Sequence, residues 1–153
     1  MRKISRKKGP VVAKKVICDG ITFASGLEKY MYLALKDNNI IAQYESHTFE
    51  LVNSFEFQND CFERQGNGKG DFCNRGNKKV LNLKYTPDFI GVDFIIETKG
   101  RANDSFPMRW KLFKKWMKDN GDTRTLYKPQ SNAECLTTVK LILSKRTERN
   151  KGM

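Results

Sequence analysis

Apolar positions in this chain first recur at a helical period between residues 25 and 39. Ser25-Gly26-Leu27-Glu28 opens the predicted helix, and Asp37-Asn38-Asn39 ends it. The i, i+3, i+4, i+7, i+8 spacing of one buried helix face is kept by Leu27, Tyr30, Met31, Ala34 and Leu35. The pattern therefore predicts an amphipathic helix whose first turn carries Glu28.

Two further helices are predicted in the C-terminal half of the chain. The second begins at Ser105-Phe106-Pro107 and stops at Gly121, a residue type that commonly ends helices. Its inward positions are Trp110, Phe113, Trp116 and Met117. Its outward positions are basic, namely Arg109, Lys111, Lys114, Lys115 and Lys118. The third helix is predicted from Ser131 to about Lys145.

The middle of the chain has the two-residue alternation of β-strands. Alternation predicts one strand through Phe49, Leu51, Phe55 and Phe57 and another over residues 80–85. Residues 58–79 between them are polar and glycine-rich, which predicts a long loop or an irregular insertion between two hairpin strands. A tight turn around Gly91 joins two more strands, and residues 123–127 form the last one. The order predicts an α/β fold with a mixed central β-sheet flanked by helices.

Composition and charge indicate one domain with a polyanionic partner. The 153 residues suffice for one core. We predict a single domain at residues 16–145, between a basic N-terminal arm (1–15) and a basic C-terminal tail (146–153). The 29 Lys and Arg against 17 Asp and Glu give a net charge of +12, so nucleic acid is the simplest partner. Besides the second helix, the expected phosphate contacts are Arg6, Lys7, Lys8, Lys14 and Lys15.

The sequence gives no sign of membrane insertion or secretion. No apolar run reaches the length of a membrane span, and the basic start lacks the apolar stretch of a secretory signal. The scattered cysteines are expected to be reduced thiols in the cytoplasm, and they are Cys18, Cys61, Cys73 and Cys135. A zinc site at Cys61 and Cys73 is an alternative, but it would need a second close pair of ligands.

The candidate chemistry lies in Glu97-Thr98-Lys99-Gly100 and, nine residues before Glu97, in Asp88. Because strand side chains alternate, Glu97 and Lys99 face one side, and the turn at Gly91 brings Asp88 towards them. Asp88, Glu97 and the backbone carbonyl of Thr98 are suitable ligands for Mg²⁺, or for Mn²⁺ in its place. Lys99 would orient a water or stabilise transition-state charge. This pattern predicts phosphodiester hydrolysis.

These residues also have structural interpretations. Pro87-Asp88 is a common turn pair, and Glu97 with Lys99 would add little stability as an exposed ion pair. Glu28 fits a capping box with Ser25, a spacing that Ser131 and Glu134 repeat, so local chemistry favours a helix cap. Glu45, just before the first strand, is open to a similar structural interpretation. The single histidine, His47, could serve as a general base, but a lone histidine near a strand start is more often a polar surface or boundary residue.

Three motifs in order resemble a known nuclease family. They are Ser25-Gly26-Leu27-Glu28, Tyr85-Thr86-Pro87-Asp88-Phe89 and Glu97-Thr98-Lys99-Gly100. The last two are similar to the PD-(D/E)xK nuclease signature, and the whole set resembles the phage endonuclease I family of Holliday-junction resolvases. The similarity covers residues 21–100, and the insertion at residues 58–79 departs from the family pattern.

The resemblance implies a restriction-endonuclease-like core. It assigns Asp88 and Glu97 as metal ligands and Lys99 as the catalytic lysine, and it makes Glu28 an active-site carboxylate and candidate ligand. The family has a second acidic residue near the end of that helix region, for which Glu45 is the nearest candidate. It also implies an intertwined homodimer, in which two active sites cut the two symmetric strands of a four-way junction.

The sequence therefore predicts a magnesium-dependent DNA endonuclease that cuts branched DNA, most simply Holliday junctions, in phage recombination or DNA packaging. Three alternatives stay open. A sequence- or mismatch-directed nuclease would share the catalytic residues. A non-catalytic nucleic-acid-binding protein or a small basic structural protein would share only the charge.

Overall fold

The computed structural model describes residues 14–100 and 105–152. The described residues form three helices, α1 (Gly26–Asp37), α2 (Phe106–Asp119) and α3 (Asn132–Lys151). Their strands are short and in chain order are β1 (Val16–Cys18), β2 (Ile21–Phe23), β3 (Gln43–Tyr44), β4 (Phe49–Val52), β5 (Phe55–Phe57), β6 (Phe62–Glu63), β7 (Cys73–Asn74), β8 (Lys78–Val80), β9 (Leu83–Tyr85), β10 (Phe89–Ile90), β11 (Phe94–Ile96) and β12 (Thr125–Tyr127). The fold is mixed α/β, with small sheets and three helices.

The chain forms two compact units. In the described part of the chain, the first unit comprises residues 14–44, 88–100 and 124–152. It contains α1, α3 and a four-stranded sheet. The second comprises residues 45–87 and 105–123, with α2 and strands β4 to β9.

The four-stranded sheet of the first unit is mixed and has the order β12-β11-β10-β3. Strand β10 is antiparallel to both of its neighbours, and β11 is parallel to β12. The predicted tight turn at Gly91 is confirmed, because the Gly91 amide donates to the Phe94 carbonyl at 2.9 Å. A Cβ at position 91 would lie 2.3 Å from the Phe94 ring, so only glycine fits there.

The core of the first unit lies between this sheet and the apolar faces of α1 and α3. Helix α1 has the predicted bounds, and its predicted face supplies Met31 and Leu35, both almost fully buried. Helix α3 adds Val139 and Ile142, and the sheet adds aromatic and branched side chains such as Phe89. Each fully buried side chain of this size contributes about 1.5–3 kcal/mol, so this core fixes the position of β10 and β11.

Helix α3 continues to Lys151, so its predicted end near Lys145 is wrong, and most of the predicted C-terminal tail is helical. Asp93 explains the added turns. The guanidinium of Arg146 donates to Asp93 Oδ1 at 2.8 Å, and that of Arg149 donates to Asp93 Oδ2 at 2.9 Å. These contacts hold the pKa of Asp93 below its usual value and anchor the end of the helix.

The second unit has an aromatic core between α2 and the β4–β9 pair. The Phe113 ring lies 5.0 Å from that of Phe49 and 4.8 Å from that of Tyr85. The strand predicted through residues 49–57 is divided into β4 and β5, and the pairing of β4 with β9 contains a register shift. The outward residues of α2 are exposed, as predicted from its period.

Residues 55–80, called the β-ribbon below, form a hairpin built from the β5–β8 and β6–β7 pairs. Residues 58–79 are irregular, as predicted, apart from short paired segments at residues 62–63, 73–74 and 78–79, and Asn59 lies close to Gly76 in this pairing. Gly76 permits this, because a Cβ there would lie 2.0 Å from the Asn59 carbonyl oxygen. That same carbonyl accepts a hydrogen bond from the Asn77 amide at 3.1 Å.

Within the described part of the chain, no helix combines the length and the apolar character needed to cross a membrane.

Candidate active site

Strand register places Asp88 and Glu97 side by side. Phe89 pairs with Ile96, and Ile90 pairs with Ile95. One step further along the two antiparallel strands, Asp88 faces Glu97. Each of these acids is only 6% exposed. Asp88 is therefore not a solvent-exposed turn residue. Two buried carboxylates are thus opposite each other at the end of the hairpin.

Asp88 is held by the residue that follows Glu97. The backbone amide of Thr98 donates to Asp88 Oδ2 at 2.8 Å, and the Thr98 hydroxyl donates to the same oxygen at 2.7 Å. Burial, followed by the charges of Glu97 and Glu28, nevertheless raises the pKa of Asp88 to about 8. The surrounding protein therefore stabilises the negative charge of Asp88 poorly, and a bound cation would stabilise it.

Glu28 is a helix-cap residue that also lies near Asp88, and Glu28, Asp88 and Glu97 are called the acidic cluster below. Its amide donates to Ser25 Oγ at 3.2 Å, as the predicted cap requires. Its carboxylate does not return to the Ser25 amide of a regular capping box. Instead, Glu28 Oε2 accepts from the Ala24 amide at 3.0 Å and from the Tyr44 hydroxyl at 2.5 Å. The helix N-terminus and β3 together fix its orientation.

Lys99 lies on the same side of the chain as Glu97, as the alternation predicted. Lys99 Nζ is 3.8 Å from Glu97 Oε1, and the side chains are 24% and 8% exposed. The amides of Glu97 and Lys99 donate to the carbonyls of Tyr127 and Pro129, each at 3.0 Å. The ion pair is therefore partly buried, and its backbone is hydrogen-bonded to the end of β12 and to the residues that follow it.

Glu45 directly follows β3 and has a left-handed backbone with φ 46°. One carboxylate oxygen of Glu28 and one of Asp88 lie within 4.8 Å of each other. An all-oxygen, carboxylate-rich donor set suits Mg²⁺ or Mn²⁺ rather than softer metals. Asp88 and Glu28, with Glu97 opposite Asp88, thus fit a hard divalent cation.

Comparison with known proteins gives one match. A family model described as a protein of unknown function, DUF1064, matches residues 8–128. The chain belongs to the DUF1064 family. The match includes the acidic cluster and α2 and ends before α3. Neither a curated protein nor a solved structure matches the chain.

The basic residues predicted to contact DNA are exposed in this DUF1064 protein wherever the structure describes them. Those on α2 are Arg109, Lys111, Lys114, Lys115 and Lys118. Lys115 is paired with Asp119 at 2.9 Å. Lys14 and Lys15, which precede β1, are also exposed. Arg6, Lys7 and Lys8 lie outside the described residues.

The other candidate residues of this DUF1064 chain do not form a site. His47 is exposed, and its ring packs edge-on against Phe49 at 4.5 Å. All four cysteines are free thiols, as predicted. Neither Cys61 nor Cys73 belongs to a group of three or more metal-binding side chains within residues 14–100 and 105–152, so zinc gains no support.

Two supporting residues were missed by sequence reasoning. Tyr44 holds Glu28, and the Thr98 side chain holds Asp88. Thr98 lies inside the Glu97-Thr98-Lys99 motif, and a hydroxyl between two charged residues was the available signal. Tyr44 gave no signal, because β3 is only two residues long and its pairing is set by the tertiary fold.

Proposed function

We propose that this DUF1064 protein is a magnesium-dependent DNA endonuclease with a restriction-endonuclease-like core. The observation that carries the proposal is the environment of Asp88. This buried carboxylate faces Glu97 across the hairpin and lies near Glu28, and its pKa is raised to about 8. Lys99, 3.8 Å from Glu97, adds the cation that phosphate chemistry requires beside such acids.

Asp88 and Glu97 would hold the metal ion, with Glu28, Glu45 and the Thr98 backbone carbonyl as further oxygen donors. Mg²⁺, or Mn²⁺ in its place, would supply Lewis acidity and an activated water there when bound. Both donors of Thr98 are directed at Asp88 Oδ2. This arrangement leaves Oδ1 as the ligand atom of Asp88.

The remaining side chains act by position and charge. Lys99 either orients the attacking water or stabilises charge that develops on the phosphate oxygens. The Tyr44 hydroxyl and the Ala24 amide keep Glu28 Oε2 in one orientation. Such supporting hydrogen bonds set the direction of a ligand's free oxygen and tune its affinity for metal.

The proposed substrate is branched DNA, above all the four-way junction. The net charge of +12 and the exposed basic residues of α2 suit phosphate contacts, which position a protein without reading sequence. Selection by DNA shape is therefore favoured over strict sequence specificity. The resemblance to phage resolvases adds the junction itself and a homodimer with two active sites, acting during recombination or packaging in the host cytoplasm.

The decisive experiment measures cleavage of a four-way junction and of a linear duplex of matched sequence, with Mg²⁺ and with a chelator. Asp88→Asn and Glu97→Gln should each lower junction cleavage by about a thousandfold, because the metal supplies several kcal/mol of transition-state stabilisation. Glu134→Gln is the matched control, since Glu134 is an exposed acid at another helix N-terminus.

Each alternative predicts its own result. Equal cleavage of junction and duplex would favour a sequence- or mismatch-directed nuclease. Binding of DNA by the wild type without any cleavage would favour a non-catalytic binder. Full activity of Asp88→Asn would show that the assigned site is wrong.

A further inference from the structure

Two aromatic side chains near the end of the β-ribbon are exposed to solvent. Phe62 is 60% exposed and Phe72 is 70% exposed. Their ring centroids are 6.4 Å apart, so they form one apolar surface rather than two isolated contacts. An exposed pair of large aromatics is more informative than a single exposed apolar residue, because such patches mark interaction sites.

Strand pairing separates this end of the β-ribbon into two different faces. Phe62 pairs with Asn74, and Glu63 pairs with Cys73. One step further, Arg64 lies opposite Phe72, which places Phe62, Arg64 and Phe72 on the same face. The acidic side chain of Glu63 belongs to the opposite face.

Two other charged side chains near the β6–β7 pair, Arg75 and Asp60, have hydrogen bonds within the β-ribbon. The Arg75 guanidinium donates to the carbonyls of Glu63 at 3.1 Å and of Asp71 at 3.1 Å. Asp60 accepts from the side-chain amides of Asn74 at 2.9 Å and of Asn77 at 2.7 Å. Among residues 61–64 and 72–75, Arg64 is by strand alternation the charged side chain on the face of the two rings, which suits an anionic partner.

We propose that the Phe62–Phe72 face of the β-ribbon binds unstacked bases of nucleic acid, with Arg64 contacting the adjoining phosphate. Aromatic side chains next to basic ones are the usual means of binding exposed bases, because every base has a face that can stack. In branched DNA the proposed contact is with the bases that flank the branch point. The inference takes DNA as the partner from the proposed function and names the part of the molecule that favours branched over linear forms.

A second copy of the chain is the competing occupant of this face. In a two-fold symmetric interface each surface meets its own copy. Such an interface centred on the ring pair would bring the two Arg64 side chains together, and like charges oppose each other. The charge of the face thus favours nucleic acid.

The test measures binding without cleavage, in the presence of a chelator. The probes are a four-way junction with 2-aminopurine beside the branch point and a fully paired duplex of matched sequence. The double variant Phe62→Ala, Phe72→Ala should bind the junction about tenfold more weakly and bind the duplex as the wild type does. Phe62→Tyr, Phe72→Tyr should restore junction binding and the fluorescence change, because its rings can still stack.

Leu81→Ala is the control, since Leu81 is 74% exposed and lies just beyond the β-ribbon. Equal junction affinity of the double alanine variant and the wild type would overturn the inference. So would a double alanine variant whose oligomeric mass falls in sedimentation, because the rings would then cover a second copy.

The two proposals fail in different ways. If the protein binds the junction through the rings but never cleaves DNA, only the proposed catalysis is wrong. If Glu97→Gln abolishes cleavage but junction binding does not depend on the rings, only the proposed role of the β-ribbon is wrong.

Discussion

Helices α1 and α3 begin with the same motif, Ser-x-x-Glu, and their first turns have the same backbone contact. The serine Oγ accepts a hydrogen bond from the glutamate amide at 3.2 Å in both. The two glutamate side chains differ. Glu28 is 8% exposed and accepts bonds from Ala24 and Tyr44, whereas Glu134 is exposed.

This difference comes from what each helix start packs against. At α1, the two-residue strand β3 brings the Tyr44 hydroxyl to Glu28, and β10 brings Asp88 near it. Local sequence thus determines the cap, and sheet pairing determines whether the capped glutamate also joins an acidic cluster. Experiments on matched pairs of residues from α1 and α3 can separate the two effects.

Among the comparisons of α1 with α3, the largest effect is expected from replacing the two glutamates. Glu28→Gln should lower magnesium-dependent cleavage by about 100-fold or more, because it removes a charged ligand beside Asp88. Glu134→Gln should leave cleavage unchanged. Initial cleavage rates on the junction, with circular dichroism of each variant, give the comparison. Similar losses in both variants would show that Glu28 acts only as a cap.

Magnesium should stabilise the protein in a pH-dependent way through Asp88. Its pKa is about 8 in the folded state and 3.8 ordinarily, so the folded state binds the proton more tightly. The resulting stability is complete below pH 3.8 and is lost as pH rises through about 8. A metal ion binds the ionised form and offsets that loss. Mg²⁺ should therefore raise the Tm by a few degrees more at about pH 8.5 than at about pH 6.

Thermal melts with and without Mg²⁺ at both pH values measure this effect. Asp88→Asn should have little response to Mg²⁺ at either pH, because the titrating group is gone. An equal rise in Tm at both pH values for the wild type would mean that the ion binds elsewhere.

Removing the Tyr44 hydroxyl should show how much β3 contributes to the orientation of the Glu28 side chain. Tyr44→Phe deletes the donor to Glu28 Oε2 and retains the ring, which lies 4.8 Å from Phe23. The Mg²⁺ concentration for half-maximal cleavage should rise about tenfold, as for other residues that orient a metal ligand. Tyr32→Phe, in the helix that carries Glu28, is the control, since the Tyr32 hydroxyl donates to Asp19 at the surface. Equal responses in both variants would contradict an orienting role.

The smallest effect is expected from the caps themselves. Ser25→Ala and Ser131→Ala should each lower the free energy of unfolding by about 1 kcal/mol, because both remove the same side-chain acceptor. Urea denaturation of the two variants makes the measurement. A much larger loss for Ser25→Ala would mean that the α1 cap also supports the acidic cluster.

The hairpin of the candidate site was predictable because its signals are local. Gly91 marks the turn, and the apolar run before Glu97 marks a buried strand, so the approach of Asp88 to Glu97 followed from the turn that joins their two strands. The bounds of α1 were equally local, with Ser25 before the helix and Asn38 after it.

The missed features depend on distant residues or on very short elements. Arg146 and Arg149 have the composition of a polar tail, and their partner Asp93 lies more than fifty residues earlier. The β-ribbon has the composition of a loop. Its β6–β7 pair is stabilised by bonds such as those from the Cys61 and Gly76 amides to Asn74 Oδ1. Such contacts leave no periodic pattern in the sequence.

The turn at Gly91 makes chain length part of the candidate site. A strand that gains or loses one residue presents its side chains to the opposite face of the sheet. One residue inserted between Asp88 and Glu97 would separate the two carboxylates even though both remained in the chain. Insertions and deletions should therefore be excluded from this hairpin, because its spacing is as much a requirement as its acids.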